Sequence, residues 1–140
     1  MAAARLAAHT EAMEERHETK VFIAEDSAEV RRYIVDLIEE VEGARVVGEA
    51  ETVETAVAGI LRTGPDCVVL DFQLVGGTGL DVLRAVHSRA PQIMFIVLTN
   101  FANPQYRRAC IAAGATCFFD KSSEFTRVRD VIAGLEPLPN

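Results

Sequence analysis

Charged and hydroxyl side chains stand directly after several short apolar runs of this sequence. Asp71 ends the run Cys67–Leu70, and a carboxylate in that position is costly to bury unless its charge is compensated. The other side chains of this kind are Glu25 and Asp26 after the first run, Thr99 after the fourth and Lys121 after the fifth. Carboxylates suit Mg²⁺, and an aspartate can serve as the nucleophile in phosphoryl transfer while Mg²⁺ and a lysine neutralise the developing charge.

The elements that must hold these side chains follow from the spacing of the apolar residues. Five runs are predicted as strands, namely Val21–Ala24, Arg45–Ala50, Cys67–Leu70, Ile93–Leu98 and Cys117–Phe119. After each run, apolar residues recur at helical spacing, around residues 30–41, 53–61, 80–87, 104–113 and 125–135. Strands that alternate with helices predict a parallel sheet with helices on both faces.

The predicted fold is therefore α/β, a flavodoxin-like doubly wound sheet of five parallel strands in the order 2-1-3-4-5, with five helices. This order places strands 1 and 3 side by side, and ligands of such sheets bind beyond the carboxyl ends of the strands. Glu25, Asp26 and Asp71 would then share one crevice. Because like charges that close raise pKa values or recruit a cation, a Mg²⁺ site is expected there.

Length and composition limit the classes of protein that fit. At 140 residues, 49% apolar and 25% charged, the chain suits one globular domain. A net charge of −7 without a basic stripe argues against nucleic-acid binding, because phosphate neutralisation dominates that affinity. No apolar run approaches the ~20 residues of a membrane span and no signal-peptide pattern occurs, so a cytoplasmic location is predicted. The cysteines, Cys67, Cys110 and Cys117, lack metal-binding spacing and are expected as reduced core residues.

The predicted domain covers residues 20–136, with a short segment on either side. Apart from Met1, residues 1–19 contain only Leu6 and Met13 as large apolar side chains, so a mobile or partly helical extension is expected. Residues 137–140 are predicted as a tail, and no output domain is expected.

The strand-end residues resemble those of the receiver domain of bacterial two-component response regulators. The resemblance extends over nearly the whole chain apart from the first residues. It implies that Asp71 is the phosphoacceptor and that Thr99 and Lys121 assist it. It also implies that Thr99 and the aromatic Phe118, three positions before the lysine, form the switch.

The same resemblance implies the ligands of a Mg²⁺ ion. Asp26 and Asp71 would bind the ion directly, the backbone carbonyl of Gln73 would complete the protein ligands, and Glu25 would act through water. Gly79 matches the glycine that this family has eight positions after the phosphoacceptor.

The implied function is that of a phosphorylation-dependent receiver in a two-component or phosphorelay system. A histidine kinase or a histidine phosphotransfer protein would supply the phosphoryl group. Thr99 would then move toward it and Phe118 would turn inward. The output face, for an unknown protein target or a homodimer, would lie on helix 4, strand 5 and helix 5 and carry Arg107, Arg108, Arg127 and Arg129. The chain is expected to act as a stand-alone, chemotaxis-receiver-like domain, and not as an enzyme beyond its own phosphorylation and dephosphorylation.

Three residues depart from the family pattern. Val75 stands where many receivers have a proline, which predicts a looser loop after strand 3. Ser122 stands where a proline often follows the lysine, so no cis peptide bond is expected there. Asn100 replaces the small residue that often follows the switch threonine, and it would either slow the access of the donor or position a hydrolytic water.

Other classes of protein remain as alternatives. A Mg²⁺-dependent phosphohydrolase with an aspartate nucleophile is one, although such enzymes usually have a second aspartate where this chain has Gln73. A nucleotide- or flavin-binding module is disfavoured, because the glycines at residues 76–79 follow the third strand and no P-loop is present. A receiver fragment of a larger regulator is a further alternative.

Overall fold

The computed structural model describes residues 18–100 and 102–135, which form alternating strands and helices. The five main strands are β1 (Thr19–Ala24), β2 (Ala44–Ala50), β3 (Cys67–Leu70), β4 (Met94–Thr99) and β5 (Cys117–Asp120). The five helices are α1 (Ala28–Glu39), α2 (Val53–Thr63), α3 (Gly79–Val86), α4 (Pro104–Ala112) and α5 (Phe125–Ala133).

The main strands form one parallel sheet in the order β2-β1-β3-β4-β5, which confirms the predicted fold. The register of the central pair aligns Ala24 of β1 with Leu70 of β3. The residues that follow, Glu25 and Asp71, therefore leave the sheet side by side. All carboxyl ends open on one edge, where the polar side chains were expected.

The first strand begins slightly earlier than predicted. β1 includes Thr19, because the Thr19 N–H donates a hydrogen bond of 2.7 Å to the Gly43 carbonyl. Glu18 forms an ion pair with Arg45 beside this bond. The rest of the predicted extension, and the predicted tail at residues 137–140, lie outside the described residues.

The helices begin at residues suited to that position. Ser27, Thr52 and Asn103 each accept a hydrogen bond from the backbone N–H three residues later, which satisfies a donor that the helix leaves unpaired. The longest helix, α1, has 12 residues. None of the helices in the described part of the chain has the length and apolar character needed to cross a membrane.

Both faces of the sheet are covered, because neighbouring residues of a strand point to opposite sides. Phe22 belongs to the core beneath α2, α3 and α4, whereas Ile23 belongs to the core beneath α1 and α5. The three cysteines are free thiols, with Cys67 and Cys110 buried and Cys117 half-buried. Burial raises the pKa of each thiol, which keeps it protonated. They are the core residues that the sequence predicts.

The ring of Phe22 requires glycine at two neighbouring positions. A Cβ atom at Gly48 of β2 would lie 2.6 Å from the ring, and one at Gly59 of α2 would lie 2.7 Å from it. Both distances are shorter than carbon atoms tolerate, and the ring is itself buried. The two glycines therefore let a large side chain fill the space between sheet and helix.

Gly59→Ala should lower the free energy of unfolding by about 1–2 kcal/mol, because overpacking a core outweighs the ~0.5–1 kcal/mol that alanine gains over glycine in a helix. Denaturant unfolding followed by circular dichroism measures the change. Ala58→Ser, at the exposed neighbouring position, is the matched control and should shift the free energy by less than about 0.5 kcal/mol. A Gly59→Ala protein as stable as the wild type would contradict the prediction.

Candidate functional site

Hydrogen bonds between strand ends hold the polar side chains at one edge of the sheet. The Glu25 N–H donates to the last carbonyl of β2, and the Asp71 N–H donates to the last carbonyl of β1, each over 2.9 Å. The Lys121 N–H donates to the Thr99 carbonyl over the same distance. These bonds fix the backbone of each polar residue, and thereby the point from which its side chain extends into the site.

Lys121 lies at the centre of the site. Its Nζ atom is 2.5 Å from Oε1 of Glu25 and 3.1 Å from Oδ2 of Asp71. The exposed fractions of the three side chains are 9%, 1% and 7% respectively, so three charged groups meet almost without solvent. Buried charges are tolerated when they are paired and hydrogen-bonded, and the ammonium group supplies that compensation for both carboxylates.

The second oxygen of each carboxylate is also bound. Oε2 of Glu25 accepts from the Ser27 N–H over 3.1 Å, and Oδ1 of Asp71 accepts from the Gln73 N–H over 3.3 Å. The Arg31 guanidinium donates to the backbone carbonyl of Glu25 over 2.7 Å. The spacing of the strand-end residues does not indicate Ser27 or Arg31. A serine directly before an acidic first helical turn is a capping signature that could have indicated Ser27, whereas Arg31 is recognisable only in the fold.

The proximity of these groups changes their proton affinities. Burial raises the pKa of the Glu25 carboxyl to about 7, against the opposing effect of the Lys121 hydrogen bond, and the charge of Asp71 adds to the rise. For Lys121, burial acts to lower the pKa, but the bond with Glu25 and the charge of Asp71 raise it overall. Lys121 is therefore firmly charged, and Glu25 is a group that exchanges its proton near neutral pH.

Three carboxylates stand close enough to hold one metal ion. Glu25, Asp26 and Asp71 each offer an oxygen atom, and these atoms lie within 4.8 Å of one another. Asp26 is exposed whereas the other two are buried, so the cluster is reached from the Asp26 side. Such hard oxygen donors fit Mg²⁺, which prefers one or two carboxylates together with water and phosphate oxygens.

Gly79 permits a close approach of backbone at the site. A Cβ atom there would lie 2.5 Å from the carbonyl oxygen of Asp71. The Gly79 N–H donates to the Phe72 carbonyl over 2.6 Å, which holds the chain after Asp71 against the start of α3. Any side chain at this position would push the backbone of Asp71 away.

Hydrogen bonds on both sides of Val75 order the loop after β3, and the comparison with a loop that carries proline stays a prediction. Residues 73–74 pair antiparallel with residues 77–78 in a short hairpin. The Val75 N–H donates to the Glu51 carbonyl over 3.1 Å, and the Val75 carbonyl accepts from the Val53 N–H over 3.0 Å. Gly76, with a φ of 85°, makes the tight turn possible. The sequence alone does not reveal these bonds, because their partners lie in the loop after β2.

The switch residues lie on the two neighbouring strands β4 and β5. Thr99 is fully buried at the end of β4. Phe118 is only 5% exposed and belongs to the core beneath α2, α3 and α4, together with the smaller Cys110 and Ala115. The ring therefore already lies inside in the described structure, and its response to phosphorylation stays a prediction.

The four arginines of the predicted output face do not lie on one surface. Arg107 donates to a carbonyl of β5 over 3.4 Å, and Arg108 is exposed on α4. Arg127 pairs with the residue that precedes α5, over 2.8 Å. Arg129 instead reaches Glu40 at the end of α1, over 3.4 Å. Arg129 therefore lies on the α1 side of α5, away from the predicted output face.

The parallel sheet thus carries an acidic cluster and a lysine together at its carboxyl edge. A family model described as the response regulator receiver domain matches residues 21–133. The chain belongs to this family, the phosphorylation-dependent signalling receivers of two-component response regulators. Receiver domains of this kind are generally non-catalytic apart from their own phosphorylation.

Individual relatives agree with this assignment. The DNA-binding transcriptional activator DevR/DosR of Mycobacterium tuberculosis is 37% identical over 125 residues, covering 86% of this chain and 58% of that protein. The uncharacterized transcriptional regulatory protein YvfU of Bacillus subtilis is 30% identical over 113 residues, covering 81% and 56%. The chain thus spans a little more than half the length of these relatives. The signal receiver domain of NarL from Mycobacterium tuberculosis superimposes with a TM-score of 0.76 at 25% identity, covering 85% of this chain and 99% of that one.

The stability difference between wild type and Glu25→Gln should depend on pH in metal-free buffer. The folded-state pKa of Glu25 is about 7, whereas its ordinary value is 4.5. The contribution of Glu25 to the free energy of unfolding is therefore complete below pH 4.5 and is lost as the pH rises through about 7. The unfolding free energy of the wild type should fall relative to that of Glu25→Gln over this range. Denaturant unfolding at several pH values with a chelator measures the difference, and two parallel curves would show that the pKa is not raised.

Proposed function

We propose that Asp71 accepts a phosphoryl group from the phosphohistidine of a histidine kinase or a histidine phosphotransfer protein. The observation that carries this proposal is the contact of Lys121 Nζ with Oδ2 of Asp71 at 3.1 Å, beside the acidic cluster. An acyl phosphate adds negative charge to the nucleophile. An ammonium group held against that carboxylate compensates the added charge where it develops.

The transfer forms a bond between an oxygen of Asp71 and phosphorus while the P–N bond to the donor histidine breaks. The imidazole nitrogen keeps the electron pair of that bond and takes a proton. Lys121 stays charged, because its pKa is raised, and stabilises the phosphoryl oxygens. The Gln73 N–H orients the carboxylate through Oδ1, and the Thr99 hydroxyl then meets a phosphoryl oxygen. Bound Mg²⁺ supplies further neutralisation of the phosphoryl charge.

The proposed Mg²⁺ ligands are the carboxylates of Asp26 and Asp71 and the backbone carbonyl of Gln73. The short distances among the acidic oxygens support this set. Glu25 acts through water rather than directly. Its bond with Lys121 supports this role, since the ammonium group occupies the oxygen Oε1.

The proposed output is a protein contact through α4, β5 and α5, made with a target protein or with a second copy of the chain. Arg107, Arg108 and Arg127 give this face positive charge on a protein whose net charge is −7. We also propose a cytoplasmic location, because the sequence has no signal-peptide pattern and no apolar run long enough for a membrane span. The proposed activity is limited to the protein's own phosphorylation and dephosphorylation. DevR/DosR is a DNA-binding activator and YvfU a transcriptional regulatory protein, and these are properties of those longer proteins.

Incubation with acetyl phosphate and Mg²⁺ should add one phosphoryl group to the wild type and none to Asp71→Asn. Intact-mass spectrometry detects the adduct, which should be lost at alkaline pH because an acyl phosphate hydrolyses there. Asp66→Asn is the matched control. It removes the same charge at the opposite end of β3, where Asp66 accepts a hydrogen bond from the Lys20 N–H, and should leave phosphorylation unchanged.

Two results would contradict this function. One is the absence of an adduct both with acetyl phosphate and with a phosphorylated histidine donor. The other is steady hydrolysis of a phosphate ester without a stable adduct, which would favour the phosphohydrolase alternative.

Asp26→Asn should weaken Mg²⁺ binding by about tenfold or more, since even partners outside the first coordination shell contribute that much. Isothermal titration calorimetry with MgCl₂ measures the affinity. Glu29→Gln removes an equal charge from the exposed first turn of α1 and is the control. This variant should keep most of the Mg²⁺ affinity of the wild type. Equal weakening in both variants would mean that only the general negative field attracts the ion.

A further inference from the structure

Helix α4 is held by less burial than its neighbours. Cys110 is its single buried residue, whereas every other helix in the described ranges buries at least two. The first five residues of α4, residues 104–108, are all exposed. A helix end with so little buried apolar surface needs another contact to define its position.

An aromatic stack supplies this contact. The ring of Tyr106, in the first turn of α4, lies with its centroid 4.5 Å from that of Phe72 and at an angle of 20° to it. Aromatic rings at this separation attract each other beyond the area that they bury. Phe72 is itself buried, so the exposed tyrosine rests on a ring that has a defined place.

Phe72 is part of the backbone that carries the phosphoacceptor. It directly follows Asp71, and its carbonyl accepts the Gly79 N–H over 2.6 Å. Because Gly79 also lies against the carbonyl of Asp71, there is little space for this backbone to shift independently. A displacement of Asp71 is therefore passed to the ring of Phe72.

Tyr106 is connected to the site from its other side as well. Its N–H donates to the side chain of Asn103 over 2.8 Å, and Asn103 lies four residues after Thr99. The ring of Phe118 lies buried in the core beneath α2, α3 and α4 and is not a member of the aromatic stack. The aromatic stack joins the phosphoacceptor loop to α4 without any movement of Phe118.

We propose that the stack of Phe72 and Tyr106 fixes the first turn of α4 to the phosphoacceptor loop, and that it makes the position of α4 depend on the phosphorylation of Asp71. The second half of this statement rests on the proposed function, whereas the first half does not. Arg107 and Arg108 directly follow Tyr106, so the stack sets the position of that part of the output face.

The experiment compares hydrogen–deuterium exchange of the backbone amides of residues 107–109 in four proteins without phosphorylation. In Tyr106→Ala these amides should exchange about two- to tenfold faster than in the wild type, the factor that corresponds to the loss of one aromatic pair. Tyr106→Phe keeps the ring and should behave as the wild type. Tyr33→Ala is the matched control, because Tyr33 contacts Phe125 between α1 and α5, with centroids 4.8 Å apart, and should leave α4 unchanged.

Phe72→Leu provides a second test that keeps an apolar side chain in the core. This substitution should accelerate the exchange of the same amides. The exchange of the amides of β1 and β3 shows whether each variant is folded. Wild-type exchange rates in α4 for both Tyr106→Ala and Phe72→Leu would overturn the proposal. Equal acceleration in Tyr106→Phe and Tyr106→Ala would also overturn it, because the hydroxyl rather than the stacked ring would then be responsible.

The coupling is tested by repeating the exchange after treatment with acetyl phosphate and Mg²⁺. Phosphorylation should change the exchange rates of the amides of residues 107–109 equally in the wild type and in Tyr33→Ala. In Tyr106→Ala the change should be less than half of the wild-type change. An equal change in all three would refute the coupling. If the wild type takes up no phosphoryl group, the proposed function fails, while the unphosphorylated comparison still decides whether the stack holds α4.

Discussion

One ammonium group between two carboxylates is the interaction on which the site depends. Lys121 compensates Glu25 and Asp71 in a place nearly closed to water, and removing one partner of such a buried pair typically costs about 3–5 kcal/mol. The three groups come from the ends of β5, β1 and β3, so their meeting requires this strand order. The site is stable only with this strand order, because no other order brings the three charged groups together. The same order places Lys121 against Asp71 before any phosphoryl group arrives.

Much of the fold and of the site could be predicted, because the relevant signals are local in sequence. Each apolar run ends at its polar residue, so Asp71 and Lys121 are recognisable from their neighbours, and the strand order brings them to one edge. The inward ring of Phe118 and the direction of Arg129 could not be predicted, because each depends on partners far away in the chain. The same holds for the stack of Phe72 and Tyr106, whose members are separated by 34 positions and share no pattern.

The described structure combines a rigid sheet with one lightly held helix. The strands lie between two cores, and a ring such as Phe22 is enclosed so closely that its neighbours must be glycine. α4, by contrast, buries only Cys110 fully and exposes most of its other residues. Segments that move in signalling are drawn from the least stable parts of a protein. The least buried helix of the described structure thus lies next to the loop that follows the phosphoacceptor, where the ring of Tyr106 stacks on Phe72.

Val75 shows how the site extends beyond its own loop. Its N–H and carbonyl join the loop after β3 to Glu51 and Val53 in the loop after β2. Many receivers have a proline at this position, and a proline has no N–H with which to make the first of these bonds. Val75 thus supplies a backbone donor that the neighbouring loop uses. The β2–α2 loop is consequently bonded to the segment that follows Asp71, and a change in the backbone of one loop is transmitted to the other.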